Sequence, residues 1–228
     1  MGQQNYPQLT RRIKSNGKAL NFVRNQSTGV IPRDELVLVQ AGYFILTATV
    51  SSGECLTLQI YGPGCILGEF TLARHEMDKR EAVCISKYGQ LISADLKRLM
   101  DNPGQTDVAR ELAILAASRH RDACDMANRL AYDRLDIRIA AVLLDLADKF
   151  GESSETGVEI QAPLTHETLA RLVGVTTLIS RPNVSRVMHH FKQLGWIAYW
   201  GRRITIIRHD ELRGGYPIER EGSLWKKH

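Results

Sequence analysis

Arg181, Asn183, Ser185 and Arg186 fall within one short stretch, and these are side-chain types that can read a nucleic-acid duplex. A guanidinium or an amide makes paired hydrogen bonds to a base edge in the major groove, which a point-charge ammonium does not. Ser180 stands where a helix N-cap would, and Pro182 falls in the first turn, where a missing N–H costs nothing. Val184, Val187, Met188 and Phe191 recur at helical spacing and supply an inward face, which leaves Arg181, Asn183, Ser185, Arg186 and His189 or His190 outward. A helical hairpin with a merely solvated basic face has the same composition, so the pattern alone leaves both readings open.

The elements that must position this helix are legible on either side of it. Upstream, Leu164 to Gly174 carries Thr165 as a cap, Glu167 in the first turn where the helix dipole favours an anion, and Leu169, Leu172 and Val173 on one face. Glycine closes it. Six residues, Val175-Thr176-Thr177-Leu178-Ile179-Ser180, then connect the two helices. Downstream, Ile197 to Ile207 reads as a hairpin with Arg202 and Arg203 at its tip, suited to phosphate contact, which positions a reader without conferring sequence preference.

Charge supports that placement. The 228 residues carry a formal net charge of +5, yet Gln161 to His228 holds 11 Lys and Arg against 5 Asp and Glu, and the remainder 19 against 20. The whole basic excess is C-terminal, as in a polyanion-binding module joined to a neutral one. Hydrophobic residues make up 43% and charged residues 24%, with no unbroken apolar stretch of membrane-spanning length, which excludes disordered, collagenous and spanning chains. Met1 to Asn21 is polar, with Arg11, Arg12 and Lys14 and no apolar block behind them, so no secretory signal is expected and a cytoplasmic location is. Cys55, Cys65, Cys84 and Cys124 are scattered without a C-x-x-C pair, which argues against a disulfide framework and against a metal site. No G-x-S-x-G, phosphate loop or H-E-x-x-H occurs, and no enzyme is expected.

From about Ala19 to Ile92 the chain reads as short strands broken by glycine and proline: Glu35 to Val39, Tyr43 to Val50, Cys55 to Tyr61 and Glu81 to Ser86. In the third, Leu56, Leu58 and Ile60 alternate with polar partners, the pattern of one buried face. Such spacing, with no helix between strands, indicates a small barrel or roll. Asp95 to Met100 is a short predicted helix. Thr106 to about Leu130 is a long one, with Leu112, Leu115, Ala116, Ala123, Met126 and Leu130 along a narrow stripe that fits a dimer seam, interrupted by Arg119 whose stem could lie along that seam. An amphipathic helix packed on the roll would give a similar stripe. Leu135 to Lys149 is a second apolar helix, Gly151 to Gly157 a loop, and Val158 to Ile160 a short strand.

With these elements in order, the sequence resembles the Crp/Fnr superfamily of bacterial transcription regulators. The likeness runs from about Leu36 through Gly62-x-Gly64, Gly68-Glu69, Leu130-Ala131-Tyr132, Leu164-Thr165, Val173-Gly174 and Val184-Ser185-Arg186 to the hairpin. It implies an α+β fold: an N-terminal double-stranded β-roll of cyclic-nucleotide-binding type over 1–105, a dimerisation helix over 106–134, and a C-terminal winged helix-turn-helix over 135–228. It implies a homodimer on double-stranded DNA at a near-palindromic site, with RNA polymerase as a further partner and no membrane. Arg181, Asn183, Ser185 and Arg186 are then expected at bases and nearby phosphates and Lys192, Arg202 and Arg203 at phosphates. Thr165 and Ser180, at the two helix starts, complete the DNA-facing set.

Departures from the family bear on the effector. The resemblance places a pocket at Gly68, Glu69, Arg80, Glu81 and Cys124. Cyclic-nucleotide-binding members follow the pocket arginine with Ser or Thr, where this chain has Glu81, a carboxylate expected to repel the cyclic phosphate. They offer Thr-Ser from the long helix, where Ala123 and Cys124 stand here. Cyclic AMP is therefore disfavoured, no cofactor is expected, and no effector is named. The connection through Leu178 and Ile179 is about four residues longer than in the family, and Pro182 replaces the family glutamate. The rival expectation is a small-molecule-binding signalling module that acts through protein contacts without DNA.

Overall fold

The computed structural model describes residues 6–49, 55–73, 79–101, 105–174 and 180–214. Helix α1 (Pro7–Asn16) precedes β1 (Lys18–Val23), β2 (Ser27–Val30), β3 (Glu35–Ala41), β4 (Phe44–Thr49), β5 (Cys55–Tyr61) and β6 (Ile66–Leu67). A 3-10 turn at Glu69–Ala73, β7 (Lys79–Cys84), β8 (Tyr88–Asp95) and α2 (Leu96–Met100) complete the N-terminal half. Next come α3 (Gln105–Tyr132), α4 (Leu135–Phe150), β9 (Gly151–Ser154), β10 (Gly157–Ile160), α5 (His166–Leu172), α6 (Ser180–Gln193), β11 (Ile197–Trp200), β12 (Arg203–Ile206) and α7 (His209–Arg213).

The roll is two antiparallel four-stranded sheets, ordered β1-β8-β3-β6 and β2-β7-β4-β5. Between them Phe22, Val37, Val39, Leu67 and Leu91 of the first meet Phe44, Leu46, Tyr61, Ala82 and Cys84 of the second. Strand β3 is apolar at four successive positions because it is covered on both sides: Val37 and Val39 point into the roll, Leu36 and Leu38 out of it. That outer side is covered by Leu9 and Ile13 of α1, Leu99 of α2 and Val108 and Leu115 of α3.

The polar N-terminus is therefore not bare coil. In α1, Leu9 and Ile13 are fully buried four residues apart, and the Glu111 carboxylate of α3 accepts from the free Gln8 and Leu9 amides at 3.1 and 2.8 Å. Two apolar residues in a basic decapeptide are a weak periodic signal, and their partners come from β3, α2 and α3, beyond the reach of a local pattern.

The opposite outer side of the roll, Ile45, Ile60 and Ile85, belongs to the same core as Ile139, Leu143 and Leu146 of α4, Leu169 of α5 and Val184, Met188 and Phe191 of α6. Phe150 meets Tyr43 edge-on at 5.5 Å between ring centroids. A Cβ on Gly62 would come within 2.7 Å of both rings, so this close approach requires glycine.

Several sequence expectations need correction. The predicted single buried face of β5 is split. A bulge where Thr47 pairs with Thr57 and Leu46 with Gln59 puts Leu58 and Tyr61 into the roll and Ile60 onto the outer core. The strand read as Glu81 to Ser86 is β7, two residues earlier, and β8 follows it. Asp95 is the N-cap of α2, accepting from the Arg98 amide at 3.2 Å, and not its first residue. Gly151 to Ser154, read as loop, pairs with β10 as an outer strand of the third sheet, ordered β11-β12-β10-β9. The expected dimer stripe also divides. Leu115 is 1% exposed and Leu112 packs beside it, both against α1 and the roll, whereas Ala116, Ala123 and Leu130 are exposed and Met126 is half-buried. Arg119 turns inward with Leu115, its guanidinium donating to the Ile66 carbonyl at 3.0 Å.

Candidate nucleic-acid interface

Thr165 caps α5 as expected, its hydroxyl accepting from the Thr168 amide at 3.0 Å and lying 2.9 Å from the Thr168 hydroxyl. Glu167 and Arg171 pair one turn apart at 2.7 Å on the exposed side. Leu169, Leu172 and Val173 are buried, and the chain leaves the helix through Gly174 at φ +72°, against which the Leu130 side chain of α3 is seated. The connection at 175–179, with Leu178 and Ile179, lies outside the described residues, as do the side chains of Ser180 and Arg181.

On α6, Val184, Met188 and Phe191 are buried and Val187 is half-buried, so the expected inward face is the inward face. Pro182, Arg186, His189 and Lys192 are exposed and Asn183 is half-buried. The Arg186 guanidinium donates to the Asn183 amide oxygen at 3.4 Å, so the two stand side by side as one donor-rich surface. Ser185 is oriented otherwise. Its hydroxyl lies 2.9 Å from His166 Nδ1 at the start of α5, and the His166 ring meets Tyr199 edge-on, so Ser185 ties the two helices together. Sequence spacing could not reveal this, because His166 and Ser185 are brought together only by the crossing of α5 and α6.

The wing is β11 and β12 joined by a turn with Gly201 at φ +60°. Arg202 and Arg203 are exposed at its tip, and Arg203 pairs with Glu159 of β10 at 3.4 Å. The Leu164 amide donates to the Arg202 carbonyl at 2.9 Å and holds the tip beside the start of α5. Lys192 lies over the Tyr199 ring at 4.8 Å. Trp200, beside the two arginines, is 89% exposed, a residue that sequence reasoning passed over. The signal available was a large aromatic at a hairpin tip, where no core can cover it.

Of the residues that the resemblance assigns to an effector pocket, Gly68, Glu69, Arg80 and Glu81 lie in the roll and Cys124 on α3. Gly68 has φ +106°, and a Cβ there would meet the Glu35 carbonyl oxygen at 2.3 Å. Glu69 is nearly buried and its carboxylate lies 3.5 Å from Arg119 Nε, an ion pair without a hydrogen bond. Arg119 Nε and Glu69 Oε2 have no hydrogen-bond partner among the described residues. Arg119 also stacks on Tyr61 at 4.8 Å, and Arg80 lies over Phe70 at 4.5 Å. Burial pushes the Glu69 carboxyl up despite the pull of Arg119, and burial likewise raises Tyr61. Burial pulls Arg119 down, but Tyr61, Glu69, Cys65 and Asp122 together hold it above its ordinary range.

Glu81 does not enter this pocket. It is opposite Thr47, on the outer side of β7, whereas Ala82 opposite Leu46 points inward, and its carboxylate accepts from the Ser27 hydroxyl. The expected repulsion of a phosphate by Glu81 therefore has no geometric basis. Arg119, read as an interruption of a stripe, is the residue that reaches from α3 to Glu69, Tyr61 and the Ile66 carbonyl. Cys124 is exposed on α3 with its sulfur 3.7 Å from His120 Nε2, away from Glu69 and Arg80 in its contacts. Among the described residues no group of three or more His, Cys, Asp or Glu side chains could hold a metal ion, and no helix is long and apolar enough to cross a membrane.

A family model described as a Crp-like helix-turn-helix domain matches residues 137–214. The chain is 30% identical over 183 residues to the transcriptional regulator SdrP of Thermus thermophilus, covering 80% of this chain and 83% of that one. It is 26% identical over 185 residues to a CRP-like cAMP-activated global transcriptional regulator of Mycobacterium tuberculosis, covering 79% of each. A solved transcriptional regulator of the CRP/FNR family from Thermus thermophilus superposes with a TM-score of 0.66 at 25% identity, covering 86% of this chain and 97% of the other.

Proposed function

This chain belongs to the Crp/Fnr superfamily of transcription regulators and carries its helix-turn-helix domain, and from that premise we propose that it acts as a cytoplasmic homodimer on a near-palindromic promoter site without control by cyclic AMP. The functional division is a sensor-like roll over 1–105, a dimer helix over 106–134 and a winged DNA reader over 135–228. RNA polymerase is the partner such a role implies, and no catalytic step is assigned.

The observation that carries the DNA reading is the exposed surface of α6. Packing takes Val184, Met188 and Phe191 and leaves Asn183 and Arg186 paired outside, with Arg202, Arg203 and Trp200 exposed on the adjoining wing. Arg181 and Arg186 are assigned to base edges with Asn183, Lys192 and the wing arginines to phosphates, and Thr165, Ser180 and Ser185 to holding the helices that present them. The dimer reading rests on the outward side of α3, where Ala113, Ala116, His120, Ala123, Ala127 and Leu130 are exposed at alternating spacings of three and four, with Ala117 and Cys124 exposed beside them. Two such helices related by a two-fold axis place the readers about 34 Å apart, one duplex turn.

Independence from cyclic AMP rests on Ala123 and Cys124 standing where the resemblance expects Thr-Ser, and on the engagement of Glu69 and Tyr61 by Arg119 of the chain itself. The test is a titration of the full chain on specific and scrambled duplexes at several salt concentrations, with and without micromolar cyclic AMP. A salt-dependent preference for one duplex, unchanged by the nucleotide, is expected. Absence of any salt-dependent DNA binding would favour a signalling module acting through protein contacts.

A further inference from the structure

Asp122 receives charge from two directions. On one side lies Arg119, whose guanidinium is 3.6 Å from Asp122 Oδ2 through Nη1 and 3.5 Å from the buried Glu69 carboxylate through Nε. On the other lies Lys149 of α4, with Nζ 3.5 Å from the same Asp122 oxygen. Gln59 of β5 sits between them, accepting from Arg119 and donating to Asp122, both at 3.3 Å. Three elements thus meet at the Asp122 carboxylate, β5 of the roll, the long helix and the first helix of the DNA-binding unit, and Arg119 links it to the turn bearing Glu69.

The distances make the arrangement a shared one. Arg119 is at ion-pair length from two carboxylates and hydrogen-bonded to neither, its hydrogen bonds going to Gln59 and the Ile66 carbonyl, and Asp122 is divided between two cations. A single negative charge compensated more fully by one cation is less available to the other, and this holds most where solvent is partly excluded. Asp122 and Lys149 are one-third exposed, so their pair alone contributes little to stability. Its importance lies in the place it acts: the residue after Lys149 is Phe150, whose ring is packed on Tyr43 of the roll.

The geometry points to a relay in which Glu69 sets how far Arg119 is committed to Asp122, and thereby how firmly Asp122 holds Lys149 and the end of α4 against the roll. Asp122 and Lys149 are positioning residues for the DNA-binding unit. Loss of Arg119 from Glu69, whether by a ligand that engages Glu69 or by neutralising that carboxylate, sends the guanidinium to Asp122 and loosens α4. The inference rests on the reading of this chain as a regulator whose roll governs its reader.

Hydrogen exchange of the full chain without DNA tests it in a double-mutant cycle of Glu69→Gln and Lys149→Met. Glu69→Gln, which touches nothing on α4, is expected to speed exchange of the amides from Leu143 to Phe150 by about two- to tenfold. Lys149→Met is expected to do the same, and the double variant to exchange no faster than Lys149→Met alone. Lys149→Arg should retain the response to Glu69→Gln. A merely structural Lys149–Asp122 pair would be blind to Glu69, so unchanged exchange in Glu69→Gln, or additive effects, overturns the relay. Should Glu69→Gln fail to fold, Gln59→Ala enters the same cycle with the same two outcomes. DNA titration is read separately, so coupled exchange without DNA binding would uphold the relay and reject the regulator reading.

Discussion

Arg186 and Arg202 are both exposed arginines, yet their settings predict different losses. Arg186 stands beside Asn183 on the buried-backed helix, where a fixed guanidinium can select a guanine edge. Its replacement by Ala is expected to cost about 1 to 3 kcal/mol on the preferred duplex and much less on a scrambled one. Arg202→Ala should weaken both duplexes alike and reduce the slope of log affinity against log salt by about one unit. Trp200→Ala should resemble Arg202→Ala in its indifference to sequence while leaving the salt slope unchanged, since an indole carries no charge. Equal losses for Arg186→Ala on both duplexes would reassign it to the backbone.

Glu69 offers a residue-scale test of the pocket. Burial raises its carboxyl above the ordinary range in spite of Arg119. A raised folded-state pKa means that the folded protein binds the proton more tightly than the unfolded chain, so the contribution of Glu69 to stability is full below the ordinary carboxyl range and is lost as pH rises through the raised value. Glu69→Gln, which mimics the protonated form, should therefore gain on wild type in urea unfolding at pH 7, and the gain should shrink as pH is lowered toward 4.5. A difference that does not change with pH would show that the Arg119 pairing compensates the buried charge.

Along α3, one side is covered by the rest of the chain and the other is exposed. Leu115 is sealed against α1 and the roll, so Leu115→Ala should cost about 2 to 5 kcal/mol of stability and leave the association state alone. Ala123 is exposed within the chain, so Ala123→Glu should leave the fold intact. In a two-fold seam the same change sets two carboxylates against each other, and sedimentation should then show monomers with DNA affinity reduced at a palindromic site. A variant that remains dimeric would place the seam elsewhere.

At the scale of the whole molecule, the outer side of the roll and the DNA-binding unit share one core through Ile45, Ile60 and Ile85. Phe150 sits at the junction, buried between Tyr43 and Gly62. Its replacement by Ala removes the aromatic wedge that both halves pack on, at about 3 to 5 kcal/mol. A single unfolding transition in wild type is expected to divide into two in Phe150→Ala, as followed by fluorescence and by circular dichroism. One transition in both would show that the halves are joined mainly through α3.

Local chemistry made much of this legible. The Thr165 cap, the apolar spacing of α4 and α6, the glycine after α5 and the arginine-tipped hairpin are each written within one or two helical turns or one strand pair, so α4, α5, α6 and the wing were readable from the sequence alone. The same signals left a plain helical hairpin open, and the type of reader came with the family resemblance. The direction in which certain side chains face is set by the closed fold. One bulge divides Leu58 from Ile60, strand parity turns Glu81 away from the pocket, Leu115 and Arg119 face their own roll, His166 claims Ser185, and Glu111 caps a helix about 100 residues before it. A helix or strand period specifies that a face exists, and a shift of one residue exchanges the faces of a strand. Which face is covered depends on surfaces from distant parts of the chain, and those meet only when the fold closes.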